Sequence, residues 1–246
     1  MSTSDEFSQP TTSGTTWRRV LFWSLLGIPL LFILLVPFNG FDPFLIPIIV
    51  IPALAGFFVR RGGRGGVIFG LVVVLLLVLA NVPFFVLPAL ALPASTGDFI
   101  SAVIFSVLAV LALIAAIATL RRGDSITSAA RNAVGLGIGV VLIAAVVAAA
   151  VRVSYENARP QAGDVRLAAE NIQFSTNQLD ADSGTIAVFV ENKDQTLHTF
   201  TIDELEVSLQ IPASSKERIE FDAPAGDYNF YCIPHESDMK GTLTVR

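Results

Sequence analysis

Apolar and polar positions divide the chain near residue 152. Before that point long apolar runs are separated by short clusters of Arg, Gly and Pro. After it, short runs alternate apolar and polar with a period of two. Crossing the hydrocarbon core of a bilayer takes roughly 20 residues as a helix. Five runs meet or approach that length: Val20–Phe38, Phe44–Val59, Val67 to about Leu87, Phe99–Leu120 and Ala133–Val151. The second is short and interrupted by Pro47 and Pro52. Arg18 and Arg19 before the first run would suit an export signal, but the run is long and no small-residue cleavage site follows, so it reads as a retained span. No Asp, Glu, Lys, Arg or His lies inside any of the five. Ionisable groups within spans are the usual mark of an ion, proton or substrate path. The pattern therefore predicts an anchor or docking platform and neither a pump nor a His-ligated haem. Gly135 and Gly139, with Ala144, Ala145 and Ala148, supply small-residue spacing for helix packing on the last run.

The second part reads as strands. Ile186–Val190 is a buried-type apolar run, while His198–Ile202, Leu205–Ile211, Lys216–Phe221 and Tyr228–Cys232 alternate. Turn-forming stretches at Asp180–Gly184, Asp203–Glu204, Pro212–Ser215 and Ala223–Asp227 separate them. Short strands at this spacing predict an all-β sandwich. The organisation expected is a disordered polar tail over 1–17, a five-span helical membrane bundle over 18–151, a linker with some freedom over 152–164, and the β domain over 165–246.

Charge adds orientation. Arg18, Arg19, Arg60, Arg61, Arg64, Arg121, Arg122 and Arg131 all fall in the tail and two of the loops, and the opposite loops carry no Lys or Arg. The positive-inside bias then places the N-terminus in the cytoplasm, and an odd number of spans places residues 152–246 on the outer face. That parity depends on the Pro-broken second run being a true span. The 53% hydrophobic content and mean hydropathy of +0.66 come from the first part. From residue 154 onward seven basic residues face sixteen acidic ones, a net of −9, against +4 for the remainder. An acidic head on a basic-looped base argues against nucleic acid and for a basic protein partner, with a merely solvated, soluble surface as the alternative.

The chemistry-bearing residues fall within about fifty positions. The chain has one Cys and two His, and Met239 is the only Met besides the initiator. Cys232, His235 and Met239 share the stretch Tyr231-Cys232-Ile233-Pro234-His235-Glu236-Ser237-Asp238-Met239, and His198 lies upstream in Leu197-His198-Thr199-Phe200. A thiolate, two imidazoles and a weak thioether form the ligand set of a blue-copper site. A Cys and two His could also hold zinc with a water, but the soft thioether of Met239 favours one mononuclear copper. With all four ligands on the metal no position is left for a small-molecule substrate, so an electron carrier is expected and an enzyme is not. On a strand, residues two apart share a face. His198 therefore points with Phe200 and Ile202, and Cys232 with Phe230 and Tyr228. Pro234 stiffens the loop that follows, and Gly241 is expected to let the chain turn back.

The stretches Asn192–Phe200 and Tyr231–Leu243 resemble the corresponding motifs of the cupredoxins, the plastocyanin- and azurin-like family. The resemblance covers roughly the last third of the chain. It implies a Greek-key sandwich with His198, Cys232, His235 and Met239 as metal ligands and single-electron transfer as the activity. It also implies that the His235 edge lies nearest solvent, where electrons enter or leave. Glu236 and Asp238 flank that edge and point to a basic redox partner such as a cytochrome or an oxidase. Copper storage, delivery or sensing at the membrane is the alternative reading, and an empty or zinc-filled structural module a third.

Overall fold

The computed structural model describes residues 14–39, 43 and 45–246. The expected disordered tail lies outside the described residues up to residue 13, as does most of the turn expected at 39–43. The last tail residues are placed: Thr15 accepts from the Thr127 N–H at 3.1 Å and Trp17 is buried at the start of a helix.

The helical part consists of α1 (Trp17–Asn39), α2 (Leu45–Arg61), α3 (Arg64–Asn81), α4 (Leu87–Ala91), α5 (Thr96–Arg122) and α6 (Ser128–Ser154). A π-helical turn over Val82–Val86 joins α3 to α4. Pro83 explains it: proline has no N–H to continue the ladder, so the Leu87 N–H reaches back five residues to the Val82 carbonyl. Trp17–Phe38, Arg64–Ala91, Thr96–Arg122 and Ser128–Ser154 are long and apolar enough to cross a membrane. The 17 residues of α2 are at the short end. Together with α2, which is shorter, the four candidate spans make five helical legs where the hydrophobic pattern predicts five spans.

The legs alternate in direction, and the arginines gather at one end. Arg18 donates to the Val59 carbonyl at 3.2 Å and pairs with Asp124 at 3.3 Å. Arg64 donates to the Leu120 carbonyl at 3.4 Å. Inside the bundle, Phe32, Phe85 and Phe105 meet edge to face or tilted across α1, the π turn and α5. Large apolar side chains such as Leu79, Leu136, Ile143 and Val146 point outward and stay exposed, the arrangement a lipid-facing surface requires.

Small residues do pack α6 against α5, but not the pair singled out by spacing. A Cβ on Gly137 would come within 2.8 Å of Val107 Cγ1, whereas Gly135 and Gly139 have open space around them. Gly137, Ala144 and Ala148 form the buried face. The register of a helix face is set by the neighbour it meets, which spacing alone does not identify.

The C-terminal part is a β-sandwich with strands β1 (Val165–Ala169), β2 (Gln178–Ala181), β3 (Gly184–Asn192), β4 (His198–Ile202), β5 (Val207–Ile211), β6 (Lys216–Ala223), β7 (Gly226–Tyr231) and β8 (Lys240–Val245). One sheet has the order β1-β3-β6, the other β2-β8-β7-β4-β5. The core between them is filled by Val188, Val190, Phe200, Ile211, Phe230 and Leu243, among others. Gly241 lies within β8, opposite Phe230, and does not form a turn. Glycine is needed there because the neighbours leave no room: a Cβ would press on the Phe230 ring and come within 2.5 Å of the Asn177 carbonyl.

The stretch expected to be a loose linker is pinned. Helix α6 runs to Ser154, and Arg152 donates to the Ser214 carbonyl. The Tyr155 hydroxyl binds Glu217, the Ala158 N–H donates to the Lys216 carbonyl at 2.8 Å, and the Lys216 N–H donates to Asn157 at 2.9 Å. Burial, followed by the bond to Glu217, pushes the Tyr155 hydroxyl up to about 12, so it stays a donor.

A second set of bonds crosses from the helix ends. Asp98, just before the apolar run Phe99–Leu120, sits in the first turn of α5. Its Oδ2 accepts from the Leu197 N–H at 2.7 Å and from Ser95 Oγ at 3.1 Å. The Ala213 N–H donates to Ser95 Oγ at 3.0 Å. The sandwich is therefore fastened at the end of the bundle away from the arginines.

Replacing Gly241 by Ala is expected to lower the stability of the sandwich by about 1–3 kcal/mol, because the Asn177 backbone cannot retreat cheaply. Denaturant unfolding followed by far-ultraviolet circular dichroism measures it.

Candidate metal centre

Strand β4 enters the core with all five of its residues buried. Its first residue, His198, is fully enclosed. Strand β7 ends beside it at Tyr231, and Cys232 follows with its side chain fully buried. Met239 is also fully buried and packs with Cys232 and Ala169. His235 is half-buried. All four residues singled out by sequence thus come together at one end of the sandwich.

The donor atoms converge. Cys232 Sγ lies 3.5 Å from His198 Nδ1 and 3.7 Å from His235 Nδ1. One ligand atom from each of these three residues lies within 4.8 Å of the others. Both imidazoles present the same nitrogen to the thiol, and their ring centroids are 5.0 Å apart.

Local backbone geometry explains the spacing from Cys232 to Met239. The His235 N–H donates to the Cys232 carbonyl at 3.0 Å and the Met239 N–H to the His235 carbonyl at 2.8 Å. Intervals of three and four residues therefore wind as successive tight turns and bring all three side chains to one side. The Cys232 N–H closes the loop by donating to the Met239 carbonyl at 2.9 Å.

The orientation of His198 is set by Asp194, which sequence reasoning did not single out. His198 Nε2 lies 2.8 Å from Asp194 Oδ2. Burial holds the His198 imidazole below its usual pKa against the pull of Asp194. Burial opposes the Asp194 carboxylate, but bonds from the Ile172 N–H, His198 and the Asn171 N–H hold its pKa below the usual range. A neutral ring beside a carboxylate carries its proton on Nε2, which leaves the Nδ1 lone pair facing Cys232. Asn171 and Ile172 both adopt left-handed backbone, at φ of 57° and 58°. That is costly for a β-branched residue, and it aims both N–H groups at Asp194, at 2.7 and 2.9 Å. Asn192 steadies the same turn. Its buried amide donates to the Thr196, Ile211 and Pro212 carbonyls, and its oxygen accepts from the Asp194 N–H at 2.9 Å.

The thiol accepts from the Thr199 N–H at 3.3 Å. Burial pushes the Cys232 thiol above its usual pKa, only partly offset by the Thr199 and His235 N–H groups and the Thr199 hydroxyl. Burial and then the nearby His198 push His235 down to about 4. A buried site with two neutral imidazoles and a thiol that resists ionisation suits a cation that displaces the thiol proton. The donor set of two imidazole nitrogens, one sulfur and an adjacent thioether fits copper.

His235 is the least buried of the four residues. His235 and Pro234 line a groove whose opposite wall is formed by Phe32, Phe84 and Ala89 of the helical part. Exposed surface near the site includes the flank where the Tyr231 hydroxyl donates to Asp203 at 3.1 Å and Glu204 and Glu236 lie close enough to act on it. Partial burial, then Asp203, raise the Tyr231 pKa.

Residues 140–245 match the model of the cupredoxin-like domain. Over 41 residues the chain is 54% identical to plastocyanin of Nostoc punctiforme, a match covering 15% of this chain and 30% of that protein. The chain thus spans about a third of the length of that curated relative. Among solved structures, it is similar to the reduced form of an amicyanin mutant (TM-score 0.31, 19% identity, 36% of this chain and 87% of that one). A similar match is found to amicyanin from Paracoccus versutus (TM-score 0.30, 18% identity, 35% and 85%).

Removing the Asp194 charge frees the His198 ring to present the wrong nitrogen. Asp194→Asn is expected to weaken copper binding roughly 10- to 100-fold, measured by competition with a chelator of known affinity, with Lys193→Gln as an exposed neighbouring control.

Proposed function

With a cupredoxin-like domain at residues 140–245 as the premise, we propose that this chain is a membrane-anchored type 1 copper protein that carries single electrons on the outer face of a membrane. The observation that carries the reading is the convergence of His198 Nδ1, His235 Nδ1 and Cys232 Sγ in one buried cluster, with Met239 packed on Cys232. Copper held there would supply a one-electron couple.

The protein's part is to keep the ligands still. Asp194 fixes the His198 ring, the Thr199 N–H supports negative charge on Cys232, and the two tight turns fix His235 and Met239. Rigid ligands leave little to reorganise when charge changes. His198, Cys232 and Met239 are fully buried, which favours a metal that stays in place and weighs against storage or delivery. A carrier would instead surrender Cu(I) readily to a chelator.

The arginine-rich end of the bundle and the sandwich lie at opposite ends of the five legs. With the arginines in the cytoplasm, the site faces outward across a cell membrane traversed several times. The acidic flank around Tyr231 supports a basic redox partner, such as a cytochrome or an oxidase.

Copper added to the full-length chain in detergent is expected to give an intense visible absorption and a narrow copper spin-resonance splitting. Cys232→Ser should abolish the colour, and Met239→Leu should keep it while shifting the potential. A colourless wild-type protein with bound copper overturns the proposal. Electron transfer to a basic cytochrome should slow as ionic strength rises, the sign of attraction between opposite charges. A rate that is flat with salt removes the acidic flank from the docking scheme.

A further inference from the structure

The groove between the helix ends and the sandwich has a volume of about 350 Å³, within the range of small-ligand sites. Its helical wall is apolar and aromatic, with Phe32, Val36, Leu45, Phe84 and Phe85 contributing. Its sandwich wall carries Leu197, Pro234 and the His235 ring. Besides the His235 ring, its polar side chains are Asp98 and Thr196. Phe84 is 84% exposed, so the groove has an edge on the surface that the hydrophobic pattern assigns to lipid.

The bonding of Asp98 is lopsided. Its Oδ2 accepts from the Leu197 N–H at 2.7 Å and from Ser95 Oγ at 3.1 Å. Its Oδ1 has only the longer contact with Thr196 Oγ1, at 3.3 Å, among the described residues. One carboxylate oxygen at the end of an aromatic slot can thus accept a further hydrogen bond. A hydroxyl donor satisfies it, whereas a lipid phosphate would be repelled by its charge and an acyl chain has nothing to donate.

We propose that this groove binds a membrane-dissolved aromatic ring bearing a hydroxyl group, of the hydroquinone class. The hydroxyl donates to Asp98 Oδ1, the ring lies among Phe32, Phe84 and Phe85 with the imidazole of His235 on its other side, and any apolar tail leaves past Phe84. Aromatic walls favour a flat ring over a branched aliphatic one through offset and edge-to-face contacts. The site goes beyond electron carriage by copper and does not require the metal, because helices and sandwich form its walls without one. Its position does put a redox-active class of molecule against a candidate copper ligand.

The test uses the full-length protein in detergent, copper-free and copper-loaded, with decyl-benzohydroquinone as the probe and its dimethyl ether as the hydroxyl-free control. Equilibrium dialysis is expected to show saturable binding of the hydroquinone in both forms. Loss of the hydroxyl should weaken binding by about tenfold or more, the worth of one hydrogen bond to a charged acceptor. Val36→Trp and Leu45→Trp, which fill the slot from the helical wall, should reduce binding comparably while thermal unfolding of the protein is unchanged. Linear, unsaturable uptake equal in wild type and variants would mean partition into detergent only and overturns the site. Equal binding of the ether overturns the hydroxyl assignment, on wild-type protein alone and whatever the variants do. Copper colour is read in the same samples, so failure of the groove is separable from failure of the copper reading.

Discussion

An imidazole sealed inside a protein core can offer a metal only one nitrogen, and the carboxylate of Asp194 decides which. The 2.8 Å contact to His198 Nε2 turns Nδ1 toward Cys232. That choice is secured at some cost. Asn171 and Ile172 take left-handed backbone to direct their N–H groups at the carboxylate, and Asn192 ties the turn to three carbonyls. Strain of this kind persists only where surrounding contacts over-determine it. Ile172 is so held, since its side chain packs on the Cys232–Met239 cluster. The layer around the candidate ligands is thus as constrained as those residues themselves.

How much of this was legible in the sequence follows from the physics of each feature. The ligands stood out because Cys232 and the two His are the whole supply of such groups in the chain, and the intervals of three and four wind into turns. The sandwich was legible because its strands alternate, and the helical legs because their apolar runs are long. Asp194 was hidden: a carboxylate four residues before a His has no distinguishing pattern, and its role depends on where residues 171 and 172 lie in space. Asp98 was hidden for a similar reason. It looked like a loop acid, and only folding brings α5 and the β3–β4 turn together so that it meets the Leu197 N–H. The choice of Gly137 over Gly135 and Gly139 likewise depended on which face met α5.

The joint between the two parts changes what the helical part is for. A single helix would tether a soluble domain, yet here Ser95, Asp98, Arg152 and Tyr155 hold the sandwich at separate points. The bonds from Asp98 and Ser95 reach the turn that leads into His198 and the Pro212–Ser215 stretch bonded to Asn192. Helix ends therefore take part in shaping the loop that presents a candidate ligand. This gives a physical reason for several spans: a multi-helix end supplies a surface, whereas one helix supplies only a point of attachment.

That fastening has a consequence for traffic. A carrier free in solution searches three dimensions and turns any face toward whatever it meets. If the helical part spans a membrane as proposed, a domain fastened to it in this way would keep one face down and drift only sideways. Any protein partner would then have to share the same sheet of lipid or stand within arm's length above it, approaching from the flank that the floor leaves bare.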